Sequence, residues 1–247
     1  MEAHLSPSII MRVHEFGESD LLIHFFTSDK GRLKGVAKGA RRSRKRFVNC
    51  LDLFSLSNLE YELKPKGELH FIHSGKLVDA YPGLRHDFSL LSKASYMIEL
   101  TEILFPLGVP DSRMFEVLEA ALSQLAQGIK ADLTLIAFEL MAMSLGGYGI
   151  NLEKCCVCGR DYLSEGIAAF KVEKGGIACL KCQHISAVSP QLSPPTVKAL
   201  KTMQSPSPDV FRLLDWAEDL MEEIKPVLKR HRDYHLGKHL RTADYLE

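Results

Sequence analysis

Two cysteine pairs set twenty residues apart constrain this 247-residue chain more than any other feature. Cys155-Cys156-Val157-Cys158-Gly159 comes first, and Cys179-Leu180-Lys181-Cys182 follows. A C-x-x-C turn holds two sulfurs on one side of a tight knuckle, and two knuckles make a tetrahedron of thiolates, the spacing of a zinc site. Gly159 lets the backbone close over the first knuckle so that N–H groups point at sulfur. The spacer reads as a hairpin: Ala169 to Val172, a Glu173-Lys174-Gly175-Gly176 turn, then Ile177-Ala178. Cys155, Cys158, Cys179 and Cys182 are therefore the candidate ligands of one Zn²⁺. With four protein ligands the site is closed, hence structural. A redox dithiol would need a thioredoxin-like βαβ setting that neither pair has. Cys156 reads as a bystander and Cys50 as a small core residue. Paired cysteines of this kind belong to a reducing compartment. Met1 to His4 lacks the basic and apolar regions of a signal peptide. No stretch approaches the ~18 apolar residues of a membrane span. The expectation is a cytoplasmic protein.

Periodicity divides the rest. Residues 1–80 read as five strands: Ser8–Val13, Leu21–Thr27, Arg32–Lys38, a long segment with Leu51, Leu53, Ser55, Ser57, Leu59, Tyr61 and Leu63 at alternate positions, and Leu69–Ser74. Ser28-Asp29-Lys30-Gly31 and Lys64-Pro65-Lys66-Gly67 are turns. Five short strands in this length suit a small closed barrel, of the OB-fold or the SH3-like kind. Residues 81–150 switch to helical spacing, with helices over Phe88–Leu104, from Asp111-Ser112 to Leu125, and over Asp132–Leu145. Residues 151–190 form the zinc-ribbon-like module. Residues 191–247 return to helices, one behind Ser193-Pro194-Pro195 and a long amphipathic one carrying Phe211, Leu214, Trp216, Ala217, Leu220, Met221, Ile224 and Leu228. The fold class is α+β: an N-terminal barrel followed by a helical domain that carries the zinc module.

Charge is balanced overall, 31 basic against 31 acidic residues, but not locally. Nine of the basic residues (Lys30, Arg32, Lys34, Lys38, Arg41, Arg42, Arg44, Lys45 and Arg46) stand within seventeen positions that contain no Asp or Glu. The remaining 22 face all 31 acidic residues, so one segment carries a strong positive field on an otherwise acidic chain. A charge run is often only a solvated loop. Single-signed and compact on a barrel, this one reads instead as a phosphate-tracking groove. Phe47, with Phe25, Phe26 and Phe54, could offer a ring to a base, though period-2 positions more often mean core. Near the C-terminus, His231, His235 and His239 recur at i, i+4 and i+8 among basic residues, which reads as a solvated helix end rather than a metal site. Glu218, Asp219, Glu222 and Glu223 have the spacing of a wet helix face. No G-x-S-x-G, phosphate loop or H-E-x-x-H is present, so an enzymatic reading has no positive support.

Particular stretches carry a resemblance. Gly17-Glu18-Ser19-Asp20 before an apolar strand, Phe26-Thr27-Ser28-Asp29-Lys30-Gly31-Arg32, and Gly35-Val36-Ala37-Lys38-Gly39-Ala40-Arg41-Arg42 resemble the N-terminal barrel of the bacterial recombination mediator family RecO. The later order of helices, C-x-x-C-G, C-x-x-C and a closing helix is similar to its zinc-bearing members. The resemblance implies an OB-fold, a helical domain and a zinc module held by the four cysteines above. It implies binding to single- and double-stranded DNA, annealing of complementary strands, and help in loading RecA. The partners it implies are RecR and the acidic C-terminal tail of single-strand-binding protein. DNA contacts fall on Lys34, Lys38, Arg41 and Arg42, and charge extends them to Arg44, Lys45 and Arg46. The alternatives from other classes are an RNA-binding module of translation or transcription and a nucleic-acid-processing enzyme.

Overall fold

The structure, a computed structural model, describes residues 3–64, 67–182 and 189–246, without the side chains of residues 213 and 215–218. Pro65 and Lys66 of the expected turn, and the side chains of Trp216, Ala217 and Glu218, lie outside the described residues.

Five strands close the N-terminal barrel: β1 (Ala3–Phe16), β2 (Asp20–Thr27), β3 (Gly31–Ala37), β4 (Leu56–Glu62) and β5 (Leu69–Asp79). Their order is β1-β2-β3-β5-β4, and β4 pairs with β1 to complete the ring. Only β3 and β5 run parallel. This crossover is a Greek-key closure, as an OB-fold has and a simple meander lacks. Ile10, Ile23, Phe25, Leu33, Leu59, Tyr61 and Ile72 fill the interior. Their neighbours Ile9, Met11 and Phe26 point the other way and are just as buried, because they pack on the helices. The near-continuous apolar run in β2 therefore reflects a strand covered on both faces.

The long alternating segment is corrected at its start. Residues 51–55 are not strand: Leu53 is exposed, and Phe54 has a φ of 70°. The chain turns there because β1 recruits it, Phe54 N–H donating to the Ile10 carbonyl (2.8 Å) and Ile10 N–H to the Ser55 carbonyl (3.0 Å). Cys50 is enclosed in the barrel core, and burial pushes its thiol up to about 11.

Three helices follow: α1 (Phe88–Leu104), α2 (Ser112–Ala126) and α3 (Ala131–Met143). Asp87 and Asp111 cap the first two by accepting the N–H groups of Ser89 and Met114. Every residue of α3 from Leu133 to Met143 is buried, so it is the central helix. After the cysteine module come α4 (Pro194–Met203) and α5 (Met221–Leu236). The single long helix expected over Phe211–Leu228 is divided, with a 3₁₀ stretch over Pro208–Leu220 before α5 begins.

Beside the apolar packing of Ile9, Met11 and Phe26, one carboxylate ties barrel to helices. Glu102 on α1 receives Arg12 of β1 through Nε (2.8 Å) and Nη2, and lies 3.6 Å from Arg32 Nη2 of β3. Arg32 is buried, and its Nη1 also donates to the carbonyls of Glu102 (2.7 Å) and Phe105 (2.6 Å), at the end of α1 where carbonyls lack helical partners. Gly31 beside it has a φ of +70°, and a Cβ there would stand 2.1 Å from the Val109 carbonyl oxygen. Gly31→Ala should therefore destabilise by well over ~1 kcal/mol, since it combines a left-handed backbone with a backbone clash.

Burial opposes the charge on Glu102. His24, Arg12 and Arg32 outweigh it and hold the carboxyl at about 2, against an ordinary value of 4.5. A depressed carboxylate contributes stability that is complete above its unfolded value and is lost as pH falls toward the folded one. Glu102→Gln should cost about 2 kcal/mol at neutral pH, allowing for the solvent exposure of Arg12. The gap between variant and wild type should close as pH is lowered from 4.5 to about 2, which acid unfolding curves of the two proteins would read directly.

Candidate nucleic-acid interface and metal centre

The basic segment joins β3 to β4 and is held by named contacts rather than hanging free. Asp20 accepts the Gly39 N–H (2.8 Å), and the Ser19 carbonyl accepts the Arg41 N–H (3.0 Å). The two stretches Gly17–Asp20 and Lys38–Arg42 are thus one unit, the β1–β2 turn bracing the start of the loop. Arg41 itself is tied to Glu15 (3.1 Å). Arg46 closes the loop: Nη2 donates to the Lys38 carbonyl (2.7 Å), and the guanidinium lies over the Phe47 ring (5.1 Å). Lys34 is half-buried on β3, 3.2 Å from Glu68. Lys38 is exposed, its Nζ 5.2 Å from the centre of the Phe71 ring. Arg42, Arg44 and Lys45 are exposed and make no ion pair among the described residues.

Lys30 lies half-buried in the turn between β2 and β3, and the other eight cations of the segment fall into three groups. Arg32 faces the helices and is lost to any ligand. Arg41 and Arg46 shape the loop. Lys38, Arg42, Arg44 and Lys45 are exposed, and Lys34 is half-buried beside Glu68. Phe25, Phe26, Phe47 and Phe54 are all buried, so none offers a ring. Two residues the sequence reading passed over stand on this face instead. Lys64 places Nζ 3.9 Å from the centre of the Phe71 ring. The signal was phase: in Leu69–Ser74, His70 and Ile72 are buried, so Phe71 is an aromatic on the outward side of β5.

The four cysteine sulfurs converge. Those of Cys155, Cys158, Cys179 and Cys182 lie within 4.8 Å of one another, and Cys158 and Cys179 are 3.9 Å apart. A tetrahedron with metal–sulfur bonds of ~2.3 Å has edges of about 3.8 Å, so the cluster has the size such a site needs. Gly159 takes a φ of +73° and donates its N–H to the Cys155 carbonyl (2.9 Å), while Cys179 N–H points at the Cys155 sulfur (3.3 Å). The spacer is the expected hairpin, β6 (Ala168–Lys171) with β7 (Gly176–Ala178), and β6 pairs also with β8 (Gln191–Leu192). Burial opposes ionisation of Cys155, yet N–H groups of Cys158, Cys179 and Val157 bring its thiol down to about 6. Cys182, bonded to the sulfurs of Cys158 and Cys179, is pushed up to about 12. Four packed thiols cannot all ionise alone, whereas a dication would stabilise all four thiolates at once. Cys156 stands outside the cluster, its N–H bonded to the Ile177 carbonyl (2.8 Å).

The C-terminal helix end is solvated only in part. His231 is buried, with Nε2 2.6 Å from the Tyr148 carbonyl and its ring against Phe170 of the hairpin and His235. Arg232 reaches Glu139 (3.7 Å) and the Tyr96 hydroxyl (3.1 Å) in the helical core. Of the three histidines only His239 is exposed, and it pairs with Asp244 (3.0 Å). This face of α5 seats the hairpin and encloses His231, while Lys229, Arg230, Lys238 and Arg241 are exposed.

Family models match both parts of the chain: "Recombination protein O N terminal" over residues 1–81 and "Recombination protein O C terminal" over residues 85–244. The chain belongs to the recombination protein O family. Among the family's curated members, the "DNA repair protein RecO" of Syntrophus aciditrophicus is 27% identical over 247 residues, covering 99% of this chain and 95% of the relative. That of Syntrophobacter fumaroxidans is 35% identical over 179 residues, 72% of this chain and 71% of the relative. That of Desulforamulus reducens is 26% identical over 247 residues, 100% of this chain and 95% of the relative. The two family models meet where β5 ends and the helices begin. Among the described residues, no helix is long and apolar enough to cross a membrane.

Proposed function

We propose that this chain is a DNA-binding recombination mediator in DNA repair, acting in the cytoplasm without chemistry of its own. It binds single- and double-stranded DNA and anneals complementary strands. With RecR, and with the acidic tail of single-strand-binding protein as a second partner, it assists RecA loading. The observation that carries the reading is the group of five cations, Lys34, Lys38, Arg42, Arg44 and Lys45, gathered on one closed barrel, four of them exposed and Lys34 half-buried beside Glu68. Arg41 and Arg46 belong to the same site as the groups that hold the loop in shape. Annealing needs no bond to form or break in the protein: a cationic surface lowers the repulsion between two phosphate backbones, and base pairing supplies the drive.

In this reading Cys155, Cys158, Cys179 and Cys182 hold one structural Zn²⁺. The metal fixes the hairpin against α5 and takes no part in binding DNA. Family membership and the names of the relatives support the assignment over an RNA-binding module. The test is a binding titration with single-stranded DNA at several salt concentrations. Five phosphate contacts should give a slope of log K against log salt of roughly −3.5, at about −0.7 per contact. Complementary strands should anneal with no nucleotide hydrolysed. A flat salt dependence, tighter binding of RNA at the same site, or cleavage of labelled strands that co-purifies with the protein would each overturn the reading.

A further inference from the structure

We propose that Phe71 is a stacking platform for one unpaired base, set between the cations that take the phosphates on either side. The inference rests on the reading of this face as a DNA-binding surface, and adds to it a preference for single strands. Phe71 stands on β5 opposite Val36 of β3 and Glu62 of β4, while its neighbours His70 and Ile72 turn away and are buried. It belongs to neither the barrel core nor the helical core. What it touches instead is cationic: Lys64 Nζ lies 3.9 Å and Lys38 Nζ 5.2 Å from the ring centre.

An ammonium over a half-exposed ring such as Phe71 is held weakly, and its long flexible stem lets it move. A phosphate arriving on this face attracts both lysines more strongly than the ring does. As they turn to it, the ring face is uncovered, and a base flanked by those phosphates can lie on it. Stacking on an aromatic side chain is the sequence-tolerant grip that single-strand binders use. A duplex keeps the faces of its bases inside the stack, so it meets the lysines but not the ring. Stacking also leaves the hydrogen-bonding edge of the base open. The grip is therefore compatible with annealing, since a second strand can pair with a base that Phe71 still holds.

The test uses the full chain and three probes of equal length: a thymidine strand, the same strand with abasic sugars, and a blunt duplex. Wild-type protein should bind the thymidine strand about tenfold tighter than the abasic one. F71L, which keeps apolar bulk but has no π face, should lose that advantage while its binding to the abasic strand and the duplex stays within about twofold. F71W should retain it. The salt slope should be unchanged in F71L, because no phosphate contact is removed. If F71L binds thymidine as tightly as wild type, or weakens toward all three probes equally, the platform is overturned while the DNA-binding face stands. If wild type ignores every probe, the face itself is wrong. Should F71L fail to fold, a strand carrying 2-aminopurine gives the same answer with wild-type protein. Its fluorescence must be quenched on binding, and an unchanged signal overturns the proposal.

Discussion

Replacing Arg42, Arg44 and Lys45 together by glutamate is expected to lower affinity for single-stranded DNA at least ~100-fold at 0.1 M salt and to abolish strand annealing. The magnitude follows from counterion release. Each phosphate contact contributes about 0.7 to the slope of log K against log salt, so at 0.1 M it is worth about 0.7 log units relative to 1 M salt. Three contacts amount to about two orders of magnitude, and the slope should shrink from roughly −3.5 to roughly −1.4. Repulsion from the new carboxylates adds to the loss. The variant should fold normally, because these side chains are exposed and make no ion pair among the described residues, and surface changes of that kind stay within ~0.5 kcal/mol. Arg46→Glu is a different experiment. It breaks the bond to the Lys38 carbonyl and the contact with Phe47, so it should loosen the whole loop and lower stability as well as binding. Salt slope and melting temperature, measured on both variants, separate a cation that meets DNA from one that shapes the surface. Full annealing by the triple variant would remove the loop from the mechanism.

That separation marks the limit of what the sequence could tell. Barrel, helices and cysteine knuckles were legible because each rests on short-range rules: alternation along strands, apolar stripes along helices, two C-x-x-C turns joined by a hairpin. The charge run was legible as a run, but the part each cation plays was not, because that depends on residues far along the chain. Arg32 looks like one more base in the window until α1 supplies Glu102 and the carbonyls that capture it, some seventy residues later. His231 looked solvated until Tyr148 and Phe170 closed over it. Leu51 and Leu53 kept the period of a strand, yet the first is buried and the second exposed, because β1 draws residues 54 and 55 into its own hydrogen bonds. Phe71 drew no reading at all, because only the closed barrel shows which of two adjacent positions on β5 faces out.

Removing the metal should show that the cysteine cluster is a structural brace. A tight chelator under reducing conditions should release about one Zn²⁺ per chain and lower the melting temperature by roughly 8–16 °C, the shift that about 4 kcal/mol gives in a chain of this size. The loss should be smaller than the ~10 kcal/mol of isolated zinc-finger peptides, because the hairpin has a second anchor. Phe170 and Ile177 are buried in the helical core, and His231 and Tyr148 hold the far side of the ribbon. Chelation should therefore loosen the knuckles and leave the barrel intact. Thiol titration follows this directly: four cysteines should become reactive, while Cys50, enclosed and pushed up to about 11, stays slow. The metal also sets a pH dependence. It binds thiolates, and Cys182 without a metal holds its proton up to about 12, so binding expels protons and affinity must rise with pH. Cys182→Ser should lose the metal and melt like the chelated protein. Cys156→Ser, one residue from a ligand but outside the cluster, should keep both metal and stability. A purified chain with well under one metal ion, or a melting curve that a chelator leaves unmoved, would show that the four sulfurs converge for some other reason. DNA binding through the barrel should survive metal loss, since no contact of the basic loop reaches the knuckles among the described residues.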